Sequence, residues 1–231
     1  MTDGAVTGAR ARSGLEPTAI DAWRRRIGAH RPMAEQPTRY LHRRGVQGLG
    51  NYLPTFDVRA QPAATFEEYL YWRPLSELLV FSLLRTPCIT DRTSELVREY
   101  RSRYVLVGTQ WLPGGGTVRQ SGRTFRYSHP RHLVMVHNDE PFTQVSDTTA
   151  DLAGMWVPVE LLGGNGGWPS GPLVDDSPLA RATAAFVTSF ANDVAARRAV
   201  IDADGEVAVA ELVRAALAVH REDSFSAADS A

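Results

Sequence analysis

The sequence predicts a mainly β domain with some α structure, built as a small β-barrel followed by an α-helical hairpin. Between residues 78 and 158, short runs rich in Val, Leu, Thr, Tyr and Trp alternate with Gly, Pro or charged turns, a pattern typical of an all-β segment. After residue 177, apolar side chains recur at helical spacing. We expect a closed barrel because closure removes exposed strand edges.

The predicted strands are separated by turn signals. They run over 78–85, 95–99, 104–111, 116–120, 123–127, 132–137, 142–146 and 153–158. The pair 116–120 and 123–127 is the best-defined hairpin, because Gly122 in its two-residue loop can adopt positive φ. Before these strands, the string FEEYLYW at 66–72 precedes Pro74, which would end any helix that begins there. We therefore expect the barrel to start at residue 65.

Two helices are predicted after the barrel. Ser177-Pro178 is typical of a helix start, and Asp204-Gly205 separates a helix over 178–198 from one over 206–220. The expected organisation is an arginine-rich extension over 1–64, the barrel over 65–160, a glycine-rich loop over 161–176, the helical hairpin over 177–221 and a disordered tail over 222–231. The tail is rich in serine, alanine and acidic residues, which bury little apolar surface.

Composition excludes several classes of function. The 25 basic and 26 acidic residues give a formal net charge of −1, so no overall field would attract the chain to nucleic acid or anionic lipid. The single Cys88 excludes an intrachain disulfide and a cysteine-rich zinc site. No run reaches the roughly 18 apolar residues of a membrane helix, and the N-terminus lacks the apolar core of a signal peptide. We expect a cytoplasmic protein without a membrane partner.

The extension over 1–64 is locally basic. It contains Arg24-Arg25-Arg26 and Arg43-Arg44, and a short helix is predicted from Thr18 to Ile27. Such runs are more often solvated faces than phosphate-binding arms. Nucleic-acid binding by this arm is therefore the weakest of three functional alternatives.

Several motifs occur in a fixed order. They are RTP at 85–87, WLPGGGTVRQSGRTF at 111–125, PRHLVMVHNDEPF at 130–142, WVPVELLG at 156–163 and DDSPLAR at 175–181. This order resembles the AraC-binding-like, cupin-like N-terminal domain of AraC/XylS-type transcription regulators. The resemblance covers 78–220, and it departs from the family at Pro130-Arg131-His132, where Pro-Gly-Asp is common.

The resemblance implies a cupin-like barrel of the double-stranded β-helix type that senses a small-molecule effector. It also implies that the helical hairpin forms a homodimer and that a C-terminal helix-turn-helix domain, absent from this chain, contacts DNA. The bacterial regulators of this family are cytoplasmic. The alternative is a stand-alone cupin-like protein or biosynthetic enzyme without a DNA-binding domain, because fold alone does not fix function.

The sequence offers little catalytic chemistry. Metal-dependent cupins use a His-x-His pair, which is absent, and His132 and His137 have an odd spacing that places them on opposite strand faces. His129 lies nearby, but a lone inward histidine is more often a hydrogen-bonded core residue than a ligand. Cys88 lacks a catalytic signature. We expect no metal, no cofactor and no catalytic residue, while enzymatic activity remains an open alternative.

The candidate site residues follow from the predicted strands and helices. Ligand-binding candidates inside the barrel or at its mouth are Tyr104, Gln110, Arg119, His137 and Trp156. Arg85, Arg119 and Arg123 are candidates for pairing with an anion, although Arg119 and Arg123 are equally placed for cross-strand ion pairs. Dimerisation candidates are Phe186, Phe190, Leu212, Val213 and Leu217. A register error of one residue would invert the list of inward-facing side chains.

Overall fold

A computed structural model describes residues 14–28, 40–110, 112, 116–127, 132–164, 177–196 and 199–228, with side chains up to residue 218 in the last helix. The strands are β1 (Tyr40–Arg44), β2 (Asp57–Arg59), β3 (Glu67–Pro74), β4 (Leu79–Arg85), β5 (Cys88–Arg92), β6 (Tyr104–Gln110), β7 (Gly116–Gln120), β8 (Arg123–Tyr127), β9 (Val134–His137), β10 (Phe142–Ser146) and β11 (Ala150–Pro158). The helices are α1 (Pro17–Arg26), α2 (Gly45–Gly50), α3 (Ser94–Glu99), α4 (Pro178–Ala195) and α5 (Ala203–Ala228).

The strands form two antiparallel sheets. One sheet has the order β1-β3-β4-β11-β6-β9, and the other has the order β2-β5-β10-β7-β8. The two helices α4 and α5 follow the last strand. The predicted mainly β barrel with a following helical pair is confirmed, in a sandwich-like form.

The six-stranded sheet is covered on both faces. Along β4, Phe81 and Leu83 belong to an apolar cluster on the side of the second sheet, whereas Val80 and Leu84 join the core that includes α4 and α5. Helix α4 packs against β4, β11 and β6. A strand that is buried on both faces shows a continuous apolar run rather than alternation, which explains the sequence LLVFSLL at 78–84.

Helix α4 begins as its sequence predicts. The hydroxyl of Ser177 accepts a hydrogen bond from the backbone N–H of Ala180 at 3.1 Å, and Pro178 occupies the first helical position. Its buried face consists of small residues that include Ala184 and Ala191. The helix therefore lies close to the sheet, and Thr188 reaches Thr109 of β6 with 2.5 Å between their hydroxyl oxygens.

One element prediction was wrong, and one segment had been given no assigned structure. The predicted strand over 95–99 is helix α3, because the hydroxyl of Thr93 caps its first turn by accepting from the N–H of Leu96 at 3.2 Å. The FEEYLYW string forms β3 rather than a helix, and its first five strand residues are all buried. Its partner β4 supplies the ladder hydrogen bonds that a helix would satisfy internally.

The barrel begins before residue 65. Strand β1 pairs with β3, and β2 pairs with β5, so both belong to the sheets rather than to an extension.

Helix α1 confirms the predicted helix near Thr18–Ile27, and its Trp23 is buried 5.6 Å from the ring of Tyr71. Helix α5 continues to Ala228, so most of the tail expected to be disordered is helical. Trp111, His129, the loop residues 165–176 and the last residues 229–231 lie outside the described residues.

Candidate functional site

A cavity of about 170 Å³ lies between the two sheets. A smaller hollow of about 30 Å³ continues it inward and shares Phe81, Leu106, Gln144 and Leu152 with it. The walls of the main cavity are Leu41, Tyr52, Leu53, Phe56, Leu70, Trp72, Leu79, Phe81, Leu83, Arg85, Thr90, Leu106, Phe142, Gln144, Leu152 and Trp156. An apolar cavity of roughly 150 Å³ holds one benzene ring, so this space suits a ring-sized body.

A pair of glycines shapes the floor of the cavity. Gly154 of β11 lies opposite Gly108 of β6 in the ladder. A Cβ atom on Gly154 would lie 2.4 Å from the carbonyl oxygen of Val107 and 3.1 Å from the ring of Phe81. The absence of side chains here therefore lets the Phe81 ring lie over the sheet.

The segment 51–56 covers one end of the cavity. The hydroxyl of Tyr52 donates to Glu68 Oε2 at 2.9 Å, and Arg92 Nη1 donates to the carbonyl oxygen of Thr55 at 2.9 Å. The ring of Phe56 stacks on Trp156 with 6.0 Å between ring centroids. These contacts hold the aromatic side chains of the segment over the opening.

The polar groups of the cavity form one chain of contacts. Arg85 is 2% exposed, and its Nη2 approaches Gln144 Oε1 at 3.4 Å. Gln144 Nε2 in turn donates to the hydroxyl of Tyr127 at 2.9 Å. Arg85 Nε is buried without a hydrogen-bond partner in the structure. A guanidinium group therefore lines an otherwise apolar space.

Arg85 keeps its positive charge. Burial acts to lower the pKa of Arg85, but the surrounding ionisable groups of Cys88, Tyr52 and Glu68 raise it overall. Glu68 lies opposite Arg85 in the ladder, but its carboxylate binds Arg43 Nη1 at 2.5 Å and the Tyr52 hydroxyl. Within the described residues, no carboxylate forms an ion pair with Arg85.

Comparison with known proteins identifies a solved structure with a similar fold. No family model matches the chain, and no curated protein matches it by sequence. The crystal structure of the AraC-like transcriptional activator CuxR superposes with a TM-score of 0.63 and 18% sequence identity, covering 78% of this chain and 70% of that chain. The fold is that of the AraC-like regulator CuxR. At this level of identity, the similarity establishes the fold alone.

Three predicted ligand residues lie at the interior of this CuxR-like fold or at its mouth. Trp156 lines the main cavity, and Gln110 lines its inner continuation. Gln110 Nε2 donates to the carbonyl oxygen of Leu112 at 3.1 Å, and its Oε1 is buried without a hydrogen-bond partner. Tyr104, which is 39% exposed, lines a more open hollow at the mouth that shares Trp156 with the main cavity.

The other two predicted ligand residues lie elsewhere. Val134 and Val136 of β9 face the inner hollow, so His137 falls on the opposite strand face and does not line it. The backbone N–H of His137 donates to Gln120 Oε1 at 3.0 Å. Arg119 follows the inward-facing Val118 and is exposed on the outer face of the five-stranded sheet. Neither Arg119 nor His137 lines the cavity between the sheets.

The five dimerisation candidates divide into two groups. Val213 and Leu217 are buried in the core of the chain, since the apolar stripe of α5 faces inward, so they are not available to a second subunit. Phe186 is 40% exposed and stacks on Phe190 with 5.8 Å between ring centroids. Leu212 is half-buried. Phe186, beside the half-buried Phe190 that also packs against the core, is the exposed part of the predicted interface.

Several cavity residues were not identified from the sequence. Tyr52 and Phe56 were assigned to the extension, and Gln144 was not selected although its strand was predicted. The alternation of Phe142 and Gln144 within that strand is the signal that places them on one face. Arg85 was considered only as one of three arginines that could pair with an anion.

The structure gives no indication of a metal centre. The described residues contain no group of three or more His, Cys, Asp or Glu side chains that could hold a metal ion. Cys88 is buried, and burial raises the pKa of its thiol. Of the helices that the structure describes, none is long and apolar enough to cross a membrane.

Proposed function

We propose that this chain is the effector-binding domain of an AraC-type regulator and that it binds a small molecule between its two sheets. The observation that carries this proposal is the apolar cavity with the buried Arg85 and Tyr127 and the half-buried Gln144 in its walls. Ligand sites are mostly apolar and contain a few polar groups that orient the ligand. CuxR, which shares the fold, is a transcriptional activator.

The cavity chemistry favours binding over catalysis. Its polar lining consists of arginine, amide and hydroxyl groups, and none of the described lining residues is a carboxylate, histidine or cysteine. General acid–base and nucleophilic catalysis use those missing groups most often. This composition weighs against the alternative of a stand-alone cupin-like enzyme.

The six-stranded sheet connects the cavity to the helices. Strands β4, β6 and β11 present one face to the cavity and the other to α4. Cores are close-packed, so a ligand that shifts Phe81, Leu106 or Leu152 also changes the packing beneath α4. Effector binding would then bias the position of the helix pair, as expected for a two-state sensor.

The helix pair is the proposed homodimerisation element. The large apolar side chains Phe186 and Phe190 lie on the outer side of α4, while its small residues face the sheet. DNA contact would need a separate helix-turn-helix domain, and regulators of this kind act in the cytoplasm.

A thermal-shift screen of a metabolite panel tests the proposed function. Leu106→Phe would fill the cavity, whereas the matched control Val46→Phe alters a side chain that is 69% exposed on α2. A compound that stabilises the wild type and the control, but not Leu106→Phe, supports the cavity as the effector site. Equal stabilisation of all three proteins would place the binding site elsewhere.

A further inference from the structure

We propose that the cavity selects a ligand with one carboxylate on an apolar body, and that Arg85 binds this carboxylate. The inference rests on the proposed function, because it names the class of effector for the same cavity. It also assigns Arg85 as the residue that determines specificity.

The first step is that, among the described residues, Arg85 has no carboxylate in direct contact. Its side chain is 2% exposed, and its side-chain partner is the neutral amide of Gln144, at the long distance of 3.4 Å from Nη2. The one nearby carboxylate in the ladder, that of Glu68, is already held by Arg43 and Tyr52. A buried cation without an ionic partner is costly, and an incoming anion would remove that cost.

The second step is the geometry of the free guanidinium edge. Nε has no hydrogen-bond partner, and Nη2 on the same edge has only the long contact to Gln144. The Nε–Nη2 edge presents two parallel N–H donors, and a carboxylate accepts from such a pair in a bidentate fork. This edge, whose Nε has no partner, therefore has the donor geometry that matches the two oxygens of a carboxylate.

The third step is the set of neutral groups beside Arg85. Gln144 donates to the oxygen of Tyr127, so the hydroxyl hydrogen of Tyr127 is directed to another acceptor. Thr90 also lines the cavity, and its hydroxyl is buried without a hydrogen-bond partner in the structure. These groups can orient an anion at Arg85 but add no second charge.

The fourth step limits the ligand to one charge on an apolar body. Apart from Arg85, the cavity wall is apolar or neutral, and a second ionised group would be buried without a partner. The volume of about 170 Å³ suits a ring or a chain of similar size. A longer body would extend into the hollow at the mouth, which shares Phe56, Trp72 and Trp156 with the cavity. Aromatic and medium-chain carboxylic acids meet these conditions.

The test uses matched probes on the full chain. Binding of 3-phenylpropanoate and octanoate is measured by calorimetry at pH 7, beside their primary amides, which keep the body and lose the charge. We expect each carboxylate to bind at least about tenfold more tightly than its amide, since a charge-assisted pair is about twice as strong as a neutral one. Equal affinities would overturn the inference.

The variant Arg85→Met keeps an unbranched apolar stem and removes the charge. We expect the carboxylate to lose its advantage and to bind no more tightly than the amide, while the melting temperature of the ligand-free protein stays the same or rises. The control Arg119→Met removes an exposed arginine from the outer face of the other sheet and keeps the preference. A preference that persists in Arg85→Met would place the anion elsewhere and overturn the assignment.

Further outcomes separate this inference from the proposed function. If the amides bind as well as the carboxylates and Leu106→Phe blocks both, the cavity is a binding site but Arg85 does not select an anion. If panel compounds bind in the cavity and none of them carries a carboxylate, the ligand class is wrong while sensing stands. If Arg85→Met fails to fold, the comparison of carboxylate with amide on the wild type decides the inference by itself.

Discussion

The carboxylate of Glu206, in the first turn of α5, accepts a hydrogen bond from the backbone N–H of Leu78 at 2.9 Å. The same carboxylate accepts from Ser76 at 3.0 Å and from Glu77 at 2.8 Å, and its side chain is 1% exposed. Leu79, the next residue along the chain, lines the cavity. Glu206 therefore holds α5 against the turn at 76–78, which leads directly into the cavity residue Leu79.

Replacing Glu206 with alanine should destabilise the protein by about 3 kcal/mol, because the backbone N–H groups of Ser76, Glu77 and Leu78 would all lose their charged acceptor. Urea unfolding followed by circular dichroism measures this loss. The control Glu211→Ala removes an exposed carboxylate from the same helix, which pairs with Arg214, and should change stability by less than about 0.5 kcal/mol. Equal effects of the two substitutions would contradict the role of Glu206.

A second buried carboxylate gives a pH dependence. Asp151, the second residue of β11, is buried and pairs with Arg26 of α1. Burial raises the pKa of Asp151 to about 6, and the charge of Arg26 opposes this rise without cancelling it. The ordinary pKa of an aspartate is about 3.9, so the folded state binds more protons than the unfolded state between these two values. The stabilisation from Asp151 is thus complete below pH about 4 and is lost as the pH rises through about 6.

We predict that the free energy of unfolding depends differently on pH in the wild type and in Asp151→Asn. The free energy of unfolding of the wild type, relative to that of the variant, should fall by about 2 kcal/mol between pH 4 and pH 7.5. Urea titrations at several pH values measure this difference. The control Asp21→Asn removes an exposed carboxylate on α1 and should show no such fall. An increase with pH would mean that the Arg26 pair outweighs the burial of Asp151.

The sequence predicted most strands after residue 78 and the two C-terminal helices, but it did not show which face of each strand points inward. The hairpin of β7 and β8 was predicted because Gly122 adopts the positive φ of 74° that its two-residue turn requires. The inward face of β9 could not be read from the sequence VMVH, because Val136 packs at the cavity and Met135 packs in the core on the other side. Alternation identifies the inner face only where the other face meets water.

The start of the barrel depended on a long-range pairing. Strand β1 contains Arg43, which is 9% exposed because Glu68 on β3 pairs with it. An arginine-rich segment indicates a solvated face unless its partner is known, and that partner lies 25 residues away. Arg85 could not be identified for the opposite reason. No local sequence pattern shows that a buried arginine has no carboxylate in contact with it.

The glycine at position 154 should resist substitution. Gly154→Ala would place a Cβ atom 2.4 Å from the carbonyl oxygen of Val107, which belongs to the backbone and cannot turn away. Overpacking of this kind costs about 1–3 kcal/mol, which thermal or urea unfolding detects. The matched substitution Gly50→Ala, at the end of α2, meets nothing within 4 Å and should leave stability nearly unchanged. Comparable losses for both variants would show that the ladder tolerates a side chain at residue 154.

The last prediction concerns association through the outer side of α4. Phe186 is 40% exposed and stacks on Phe190, and exposed aromatic pairs of this kind are common anchors of interfaces. We expect a homodimer in sedimentation equilibrium, and we expect Phe186→Glu to raise its dissociation constant by about 30-fold, equivalent to about 2 kcal/mol, because a charge would be buried at the interface. The melting temperature of Phe186→Glu should stay close to that of the wild type at low protein concentration, which separates loss of association from loss of fold.

Leu217→Asp would not make this distinction, because Leu217 is 3% exposed in the core. The control Val200→Glu alters a side chain that is 91% exposed between α4 and α5, and it should leave the dimer unchanged. A monomeric wild type, or an equally strong dimer in Phe186→Glu, would remove the outer face of α4 from the interface.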